Sequence, residues 1–521
     1  MPMIRVPNAG ASGVIKDLSV HELPINAWTD ASNIRFLDGS ASQFLGHGSV
    51  YGVPAITPYH VMPVYNSGKR YWLYAGAQKI YAATITAGAV VTTNLTRQTA
   101  SVDVNYTGIQ NAWNSTSLSG IPIINPGNGI DVPQFWNLDI AGKFSALSNW
   151  PVSTYCSSIK AYKNYLVALN ITKPGGSYPF MVKWSHPADP GSVPSSWDQT
   201  DVTKDAGEYD LAEGGDPVID GLQLRDSFMI YKESSCWRMD FVGGAYIMRF
   251  QKVLGVAGAM NRNCIVEVDG QHFVLTGSDV IVHDGQNATS ILDKEARRSL
   301  FQDFDVNYTA NAFVFKNPFL NEVFVCYTSI GSTTPNKALV WNYKQNTVSY
   351  RVIPNLNHAN YGFIENTLAG TWAADSDPWG ADLTAWNGPD YVPNMGRVLM
   401  ASNDSALYML DAAASYAGVL PNSYLERRGL SFGEAESIKL VKSIRPRIVG
   451  NTGDTVTIKI GSQSDPYADP TYTTMTHTIG STVSNDCLVS GRYIAIWFGS
   501  GTAYQWKLDS YDVEVDAQGS W

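Results

Sequence analysis

The stretch WDQTDVTKDAGEYDLAEGGD, Trp197 to Asp216, sets seven carboxylates (Asp198, Asp201, Asp205, Glu208, Asp210, Glu213 and Asp216) around a single lysine, Lys204. Carboxylates at that density can bind a cation, work as an acid/base pair, or repel an anion. A calcium loop of the EF-hand type wants carboxylates at fixed odd positions, a closing glutamate and a central glycine; the spacing here is different. A glycosidase needs two carboxyl groups facing each other across a sugar. Abundance alone does not make such a pair, and the repeated Asp-box loops of sialidases are absent. Two readings stay open: a solvated acidic loop, or a charged wall facing an acidic ligand that must not stick. A second, weaker acidic set, Asp375, Asp377 and Asp382, falls in the Pro- and Gly-rich stretch from Gly370 to Gly396, which is too long for an ordinary connection and reads as a functional loop.

Other chemistries find no footing in the sequence. The eight histidines are scattered without HxH or HExxH spacing, so no metal site is expected. The five cysteines include no CxxC pair and read as free core thiols. No GxSxG elbow, Walker loop or strand–GxGxxG–helix unit occurs. The expectation is a protein that is not an enzyme and carries no cofactor. Trp197, Trp372, Trp379 and Trp386 keep a rival open, a propeller glycosidase or polysaccharide-binding protein of a phage or bacterial surface, because exposed indoles stack on sugars.

The elements that must position these residues are strands. Four stretches share one shape, from Tyr71 (YWLYAGAQKIYAAT), Phe228 (FMIYKESSCWRMDF), Phe273 (FVLTGSDVIVHDG) and Val398 (VLMASNDSALYMLD). Each is an apolar run, a short turn, then a second run, which is the hairpin signal. Looser relatives start at Asn164 and Glu322. Recurrence at this spacing predicts the four-stranded blades of a β-propeller, with a pair of β-sandwiches as the alternative. One stretch, Ser290 to Asp305, puts Ile291, Ala296, Leu300 and Phe304 near one face and reads as a short amphipathic helix, with Asp293 and Arg297 spaced to pair. Beyond residue 421 the chain alternates with period two and predicts a β-sandwich of about seven strands. The first 50 residues show no lasting period but carry Pro24, Trp28, Ile34 and Phe36, as an arm lying across the C-terminal sandwich or a neighbouring copy would. The division is therefore an arm over 1–50, a propeller over 51–420 and a sandwich over 421–521.

Composition agrees with an all-β class. Hydrophobic residues make up 44% and charged residues 16%, with 15 Trp, 28 Tyr, 45 Gly and 26 Pro. A formal charge of −10 argues against general nucleic-acid binding, which needs clustered Lys and Arg, yet suits a channel that nucleic acid must pass without adhering. No run is long enough to span a membrane, and nothing at the N-terminus resembles a signal peptide.

Three stretches carry a resemblance. The opening GVIKDLSVHELPINAWTDASNIRFLDGSASQFLG resembles the N-terminal segment of tail proteins from short-tailed, double-stranded DNA phages. KDAGEYDLAEGGDPVIDGLQLRDSFMIYKESSCWRMDFVGG, with GVAGAMNRNCIVEVDGQHFVLTGSDVIVHDG, is similar to their central blades, and GRYIAIWFGSGTAYQWKLDSYDVEVDAQG to their closing strands. The family is the podovirus tail nozzle, also called tail hub or tail tubular protein B. The resemblance implies a β-propeller protein that forms a homohexamer in the virion tail, below the portal and the adaptor. It implies a ring that lines the exit channel for double-stranded DNA and carries tail fibres or tailspikes. It brings no catalytic residues. In that setting the ten carboxylates named above are the candidates for the channel lining. No obvious tip or gate sequence is present.

Overall fold

The computed structural model describes residues 3–520 apart from 67, 87–88, 245, 293–295, 365–395, 421, 434 and 503–504. Asp375, Asp377 and Asp382 therefore lie outside the described residues, as do Trp372, Trp379 and Trp386.

Short mirror-image turns start the pattern. Leu118 pairs with Ile121 across Ser119-Gly120, and Val268 pairs with Gln271 across Asp269-Gly270. Both central residues of each turn have positive φ (49° and 89°; 49° and 75°), the geometry whose twist matches the flanking strands. Among the described residues, seven four-stranded antiparallel sheets follow one another, over 60–94, 114–146, 155–210, 218–254, 265–290, 313–352 and 356–413. These are the blades of a propeller, numbered here 1 to 7 in that order. Their first strands, His60–Asn66, Asn114–Leu118, Tyr155–Tyr162, Val218–Leu224, Ile265–Val268, Phe313–Asn317 and Leu356–Phe363, stand side by side around the axis. A hydrogen bond of 2.8 Å between His60 Nε2 and Ser115 Oγ ties blade 1 to blade 2. Apolar side chains fill the spaces between blades, with Trp72, Trp113 and Trp136 fully buried and all five cysteines buried and free.

Blade 7 takes its fourth strand from the other end of the chain: Gly46–Ser49 pairs with Ala406–Ala413. The distant segment supplies the fourth strand of the blade and covers the edge of Ala406–Ala413. The rest of the N-terminal arm enters the C-terminal sandwich. One sheet holds Ile34–Leu37, Ser40–Gln43, Lys507–Ser520, Ser437–Val449 and Asn485–Gly491, with Met3–Val6 also paired to Lys507–Ser520. The other holds Asp30–Ser32, Ser423–Leu430, Tyr493–Ser500, Thr455–Gln463 and Thr471–Thr478. Trp28 sits in the core between them, 6.1 Å from the Phe498 ring, and donates its indole N–H to the Ala9 carbonyl at 2.6 Å. Gly10 lies so close to the arm's own hairpin that a Cβ there would stand 2.0 Å from the Ser40 carbonyl oxygen. The arm is thus shared out: four strands complete the sandwich and one closes the propeller, so the propeller's first contribution is residue 46 rather than 51.

A buried charge cluster fixes the seam between the two bodies. Arg35 of the arm donates to Glu322 of blade 6 at 2.6 Å and to Asp411 of blade 7 at 2.6 Å, and Arg351 of blade 6 reaches the other oxygen of Asp411 at 2.8 Å. Arg351 also donates to the Leu45 carbonyl at 2.7 Å. Asp411 sits at a left-handed φ of 56°, beside a register shift in its strand. Burial opposes ionisation at both carboxyls. At Asp411 two guanidiniums outweigh burial and hold the carboxyl below its usual range, whereas at Glu322 burial prevails over Arg35 and the carboxyl is raised.

One local reading of the sequence changes, and the last strand carries a bulge. The helix spans only Arg297–Asp303, with Ala296, Leu300 and Phe304 buried; Asp293 is outside the described residues, and Arg297 reaches Asp279 at 3.4 Å. In the last strand the sequence mixes two inward registers, and a bulge resolves them. Ile448 pairs with Leu508 and Arg447 with Ser510, so Asp509 is the extra residue. Leu508 faces inward before the bulge, and Tyr511, Val513 and Val515 face inward after it.

Two substitutions test this packing. Val513→Asp places an unpaired charge in the sandwich core and is expected to cost several kcal/mol, roughly 3 or more. Arg351→Met leaves Asp411 with one guanidinium and is expected to cost about 3–5 kcal/mol. Urea midpoints at pH 7 measure both; an unchanged midpoint for either would show that the side chain is not buried as described.

Candidate functional site

The acidic run lies at the outer rim of blade 3 and in its connection to blade 4, since Gly207–Asp210 is the outermost strand of blade 3. Most of its charge is engaged. Glu208 receives Lys173 at 2.6 Å and Lys183 at 3.2 Å. Asp216 receives Lys232 at 3.1 Å together with the Ser234 N–H and hydroxyl, and Glu213 meets Lys252 at 3.1 Å. Burial pushes the Asp216 carboxyl up, but the Ser234 bonds and Lys232 outweigh it, and its pKa falls to about 2. Asp198 and Asp201 close turns, accepting from the N–H and hydroxyl of Thr200 and Thr203. Those hydrogen bonds hold both carboxyls below their usual range. Asp205 accepts from the Tyr165 hydroxyl at 3.0 Å. Asp198, Asp210 and Glu213 are exposed. Trp197 is buried, edge-on to Trp150 at 4.6 Å, and offers no stacking face to a sugar.

A second site lies on the propeller axis, where the sequence showed only scattered residues. A cavity of about 350 Å³ is walled by the first strands of all the blades. His60, Ser115, Lys160, Asp220, Glu267, Lys316 and His358 supply one polar side chain from each blade in turn. The charges are grouped: Lys160 stands 3.5 Å from Asp220, and Lys316 stands 3.1 Å from Glu267. Asp220 also accepts from Ser158 Oγ at 2.6 Å and from the Asn263 N–H at 3.3 Å. The His60 and His358 rings lie 4.1 Å apart. Burial, then its neighbours His358 and Lys160, lowers the His60 pKa well below the usual value; burial and Lys160 lower that of His358 to about 3. Both are neutral at pH 7. The signal that could have found this set is a polar residue recurring in apolar first strands about every 50 residues, the length of a blade.

Between blades 4 and 5 a third cluster is sealed from solvent. The Tyr231 hydroxyl lies 2.6 Å from His272 Nδ1 and 2.6 Å from His283 Nε2. His272 Nε2 faces the Gln223 carbonyl at 3.0 Å, so it carries the proton; His283 Nδ1 accepts the Gly285 N–H at 3.1 Å, so its Nε2 carries the proton. The chain of donors runs from His283 through Tyr231 to His272 and on to Gln223. Each ring is neutral and fully hydrogen-bonded, and burial lowers both pKa values to about 4. Among the described residues, no group of three or more His, Cys, Asp or Glu side chains is placed to hold a metal ion.

The sealed cluster sets a pH dependence. The folded-state histidines titrate at about 4 and the unfolded ones near their usual 6.5. Between those values the unfolded chain binds more protons, so stability rises with pH and is lost as pH falls below about 6.5. Each of the two contributes up to about 1.4 kcal/mol per pH unit in that window. The urea midpoint is expected to drop between pH 7.5 and pH 5, and to drop less in His283→Gln; equal losses in the two proteins would show that His283 is not held neutral.

No family's sequence profile matches the chain, and no curated protein matches it. Among solved structures it is similar to an inactive variant of virginiamycin B lyase from Staphylococcus aureus, with 12% identity and a TM-score of 0.40, covering 70% of this chain and 98% of that one. It is also similar to exo-β-1,3-galactanase from Phanerochaete chrysosporium, with 9% identity and a TM-score of 0.28, covering 91% of this chain and 100% of that one. Neither is a tail protein, and at these scores neither assigns a reaction or a substrate to this chain.

Proposed function

We propose that this chain is a structural protein of a short phage tail, one subunit of a six-membered nozzle ring that lines the DNA exit channel and carries fibres or tailspikes. The observation that carries the reading is where the tail-like N-terminal segment goes. The stretch from Gly13 to Gly46 contributes Trp28 to the sandwich core, Arg35 to the buried seam and three strands to the two sandwich sheets, and leads directly into the strand that closes blade 7. A segment that binds both bodies of the subunit together suits a part that must hold its shape while DNA passes under pressure. An adaptor ring above it and a fibre or spike beside it are the partners this role requires.

The acidic rim fits the role in reduced form. Lys173, Lys183, Lys232 and Lys252 neutralise much of what the sequence displays, leaving the exposed Asp198 and Asp210 as the best channel-facing candidates. The second reading, a propeller glycosidase or polysaccharide-binding protein, draws support from the axial cavity, where Asp220 and Glu267 share one polar chamber. In that chamber both carboxylates are already engaged, Asp220 by the Ser158 hydroxyl and the Asn263 N–H and Glu267 by Lys316.

Copy number on purified tails tests the proposal, with six per tail expected. A monomer that hydrolyses or binds surface polysaccharide would replace it with the second reading. For the rim, Asp198→Lys with Asp210→Lys is expected to leave assembly intact and to slow DNA ejection at low salt, with partial rescue at higher salt as screening shortens to about 8 Å or less. Unchanged ejection at low salt would place the rim outside the channel.

A further inference from the structure

We infer that the propeller bore is a binding site for a small oxyanion of the phosphate or sulfate class, with the Lys160 ammonium at its centre. The inference does not depend on the tail reading. Lys160 is largely buried, with its side chain 13% exposed, and an ammonium has three N–H groups to place. Its ammonium lies 3.5 Å from Asp220 Oδ2, and no hydrogen bond from that ammonium is found among the described residues. A buried cation with donors to spare is costly unless an acceptor arrives.

Asp220 does not complete that role. Its carboxylate is turned to the Ser158 hydroxyl at 2.6 Å and the Asn263 N–H at 3.3 Å. The other ion pair is self-sufficient, because Lys316 donates to both the Glu267 carbonyl at 2.7 Å and the Glu267 carboxylate at 3.1 Å. Arg262, buried behind the chamber wall, bonds the Ala112 and Gly127 carbonyls at 2.9 and 3.1 Å, and its charge is felt at Asp220. With both histidines neutral, two lysines stand against two carboxylates in the chamber, and of the two lysines it is Lys160 whose donors are left over.

The chamber also supplies neutral donors. His358 Nδ1 accepts the Val61 N–H at 3.4 Å, which leaves its Nε2–H as a donor, and Ser115 Oγ sits beside His60. A cavity of about 350 Å³ holds an inorganic anion with waters, or an anion carried on a sugar-sized body; it is far too small for a duplex. Charge-assisted hydrogen bonds from a desolvated ammonium are about twice as strong as neutral ones, which is the specificity such a site would use.

Titration calorimetry of the full chain at low ionic strength, with inorganic phosphate, sulfate and glucose 6-phosphate as separate probes and chloride as background, tests the inference. Saturable binding at one site per chain is expected. Tighter binding of the sugar phosphate would mark a carried oxyanion, and equal binding a free one. Lys160→Met and Lys160→Gln are expected to weaken binding about tenfold or more, and Lys160→Arg to retain it. Absence of saturable binding to all three probes, or wild-type affinity in folded Lys160→Gln, would overturn the proposal. If the neutral variants do not fold, a selenate-soaked crystal of the wild-type chain decides by anomalous scattering: selenium beside Lys160 supports the site, and selenium elsewhere or nowhere overturns it.

Discussion

Two guanidiniums and two carboxylates meet where the arm, blade 6 and blade 7 converge, and the arrangement of the whole chain depends on their finding one another. Arg35 joins Glu322 and Asp411, and Arg351 joins Asp411 and the Leu45 carbonyl. Buried ion pairs add little net stability, because desolvation consumes most of the Coulombic gain. Their effect is on register. If the strand Ile34–Leu37 slipped by one residue, Arg35 would turn to the opposite face. Glu322 would then keep no guanidinium within bonding distance, inside a protein interior, at a cost of several kcal/mol, about 3–5 by analogy with broken buried pairs. The cluster therefore penalises wrong dockings of the arm more than it rewards the right one.

Much of the fold was legible because hairpins are local. The pairs from Tyr71, Phe228, Phe273 and Val398 each contain both strands and their turn within about 14 residues, so turn chemistry and alternation declare them together. The strand that closes blade 7 was not legible. Gly46–Ser49 has little side-chain pattern of its own, and its partner lies more than 350 residues away in the chain. The same holds for the last strand, where a bulge at Asp509 merges two inward faces that a strict period of two keeps apart.

The candidate sites failed to show for a related reason. Counting charges along Trp197 to Asp216 finds one lysine, yet the cations that matter come from neighbouring strands: Lys173 and Lys183 from blade 3, Lys232 and Lys252 from blade 4. A linear count measures local composition, whereas the field depends on what the sheet brings alongside. The bore is the converse case. His60, Lys160, Asp220 and His358 look isolated in sequence because each blade delivers one of them, and only ring closure makes them neighbours.

That closure has a consequence for folding and for load. Met3–Val6 pairs with residues 511–514, and Gly46–Ser49 with residues 408–413, so neither the sandwich nor the ring is complete until the ends of the chain meet. Contacts so distant make assembly slow, because loop closure must be accomplished before pairing rewards it. Once made, they couple the two bodies. Peeling the arm from the sandwich removes Trp28 from its core and Arg35 from its seam, and it frees the outer edge of blade 7. Peeling blade 7 open requires withdrawing a strand whose preceding residues are held in the sandwich by paired backbone on both sheets. Force applied to either body is therefore resisted by the hydrogen-bond ladders of both, a property that follows from chain order rather than from any single strong contact.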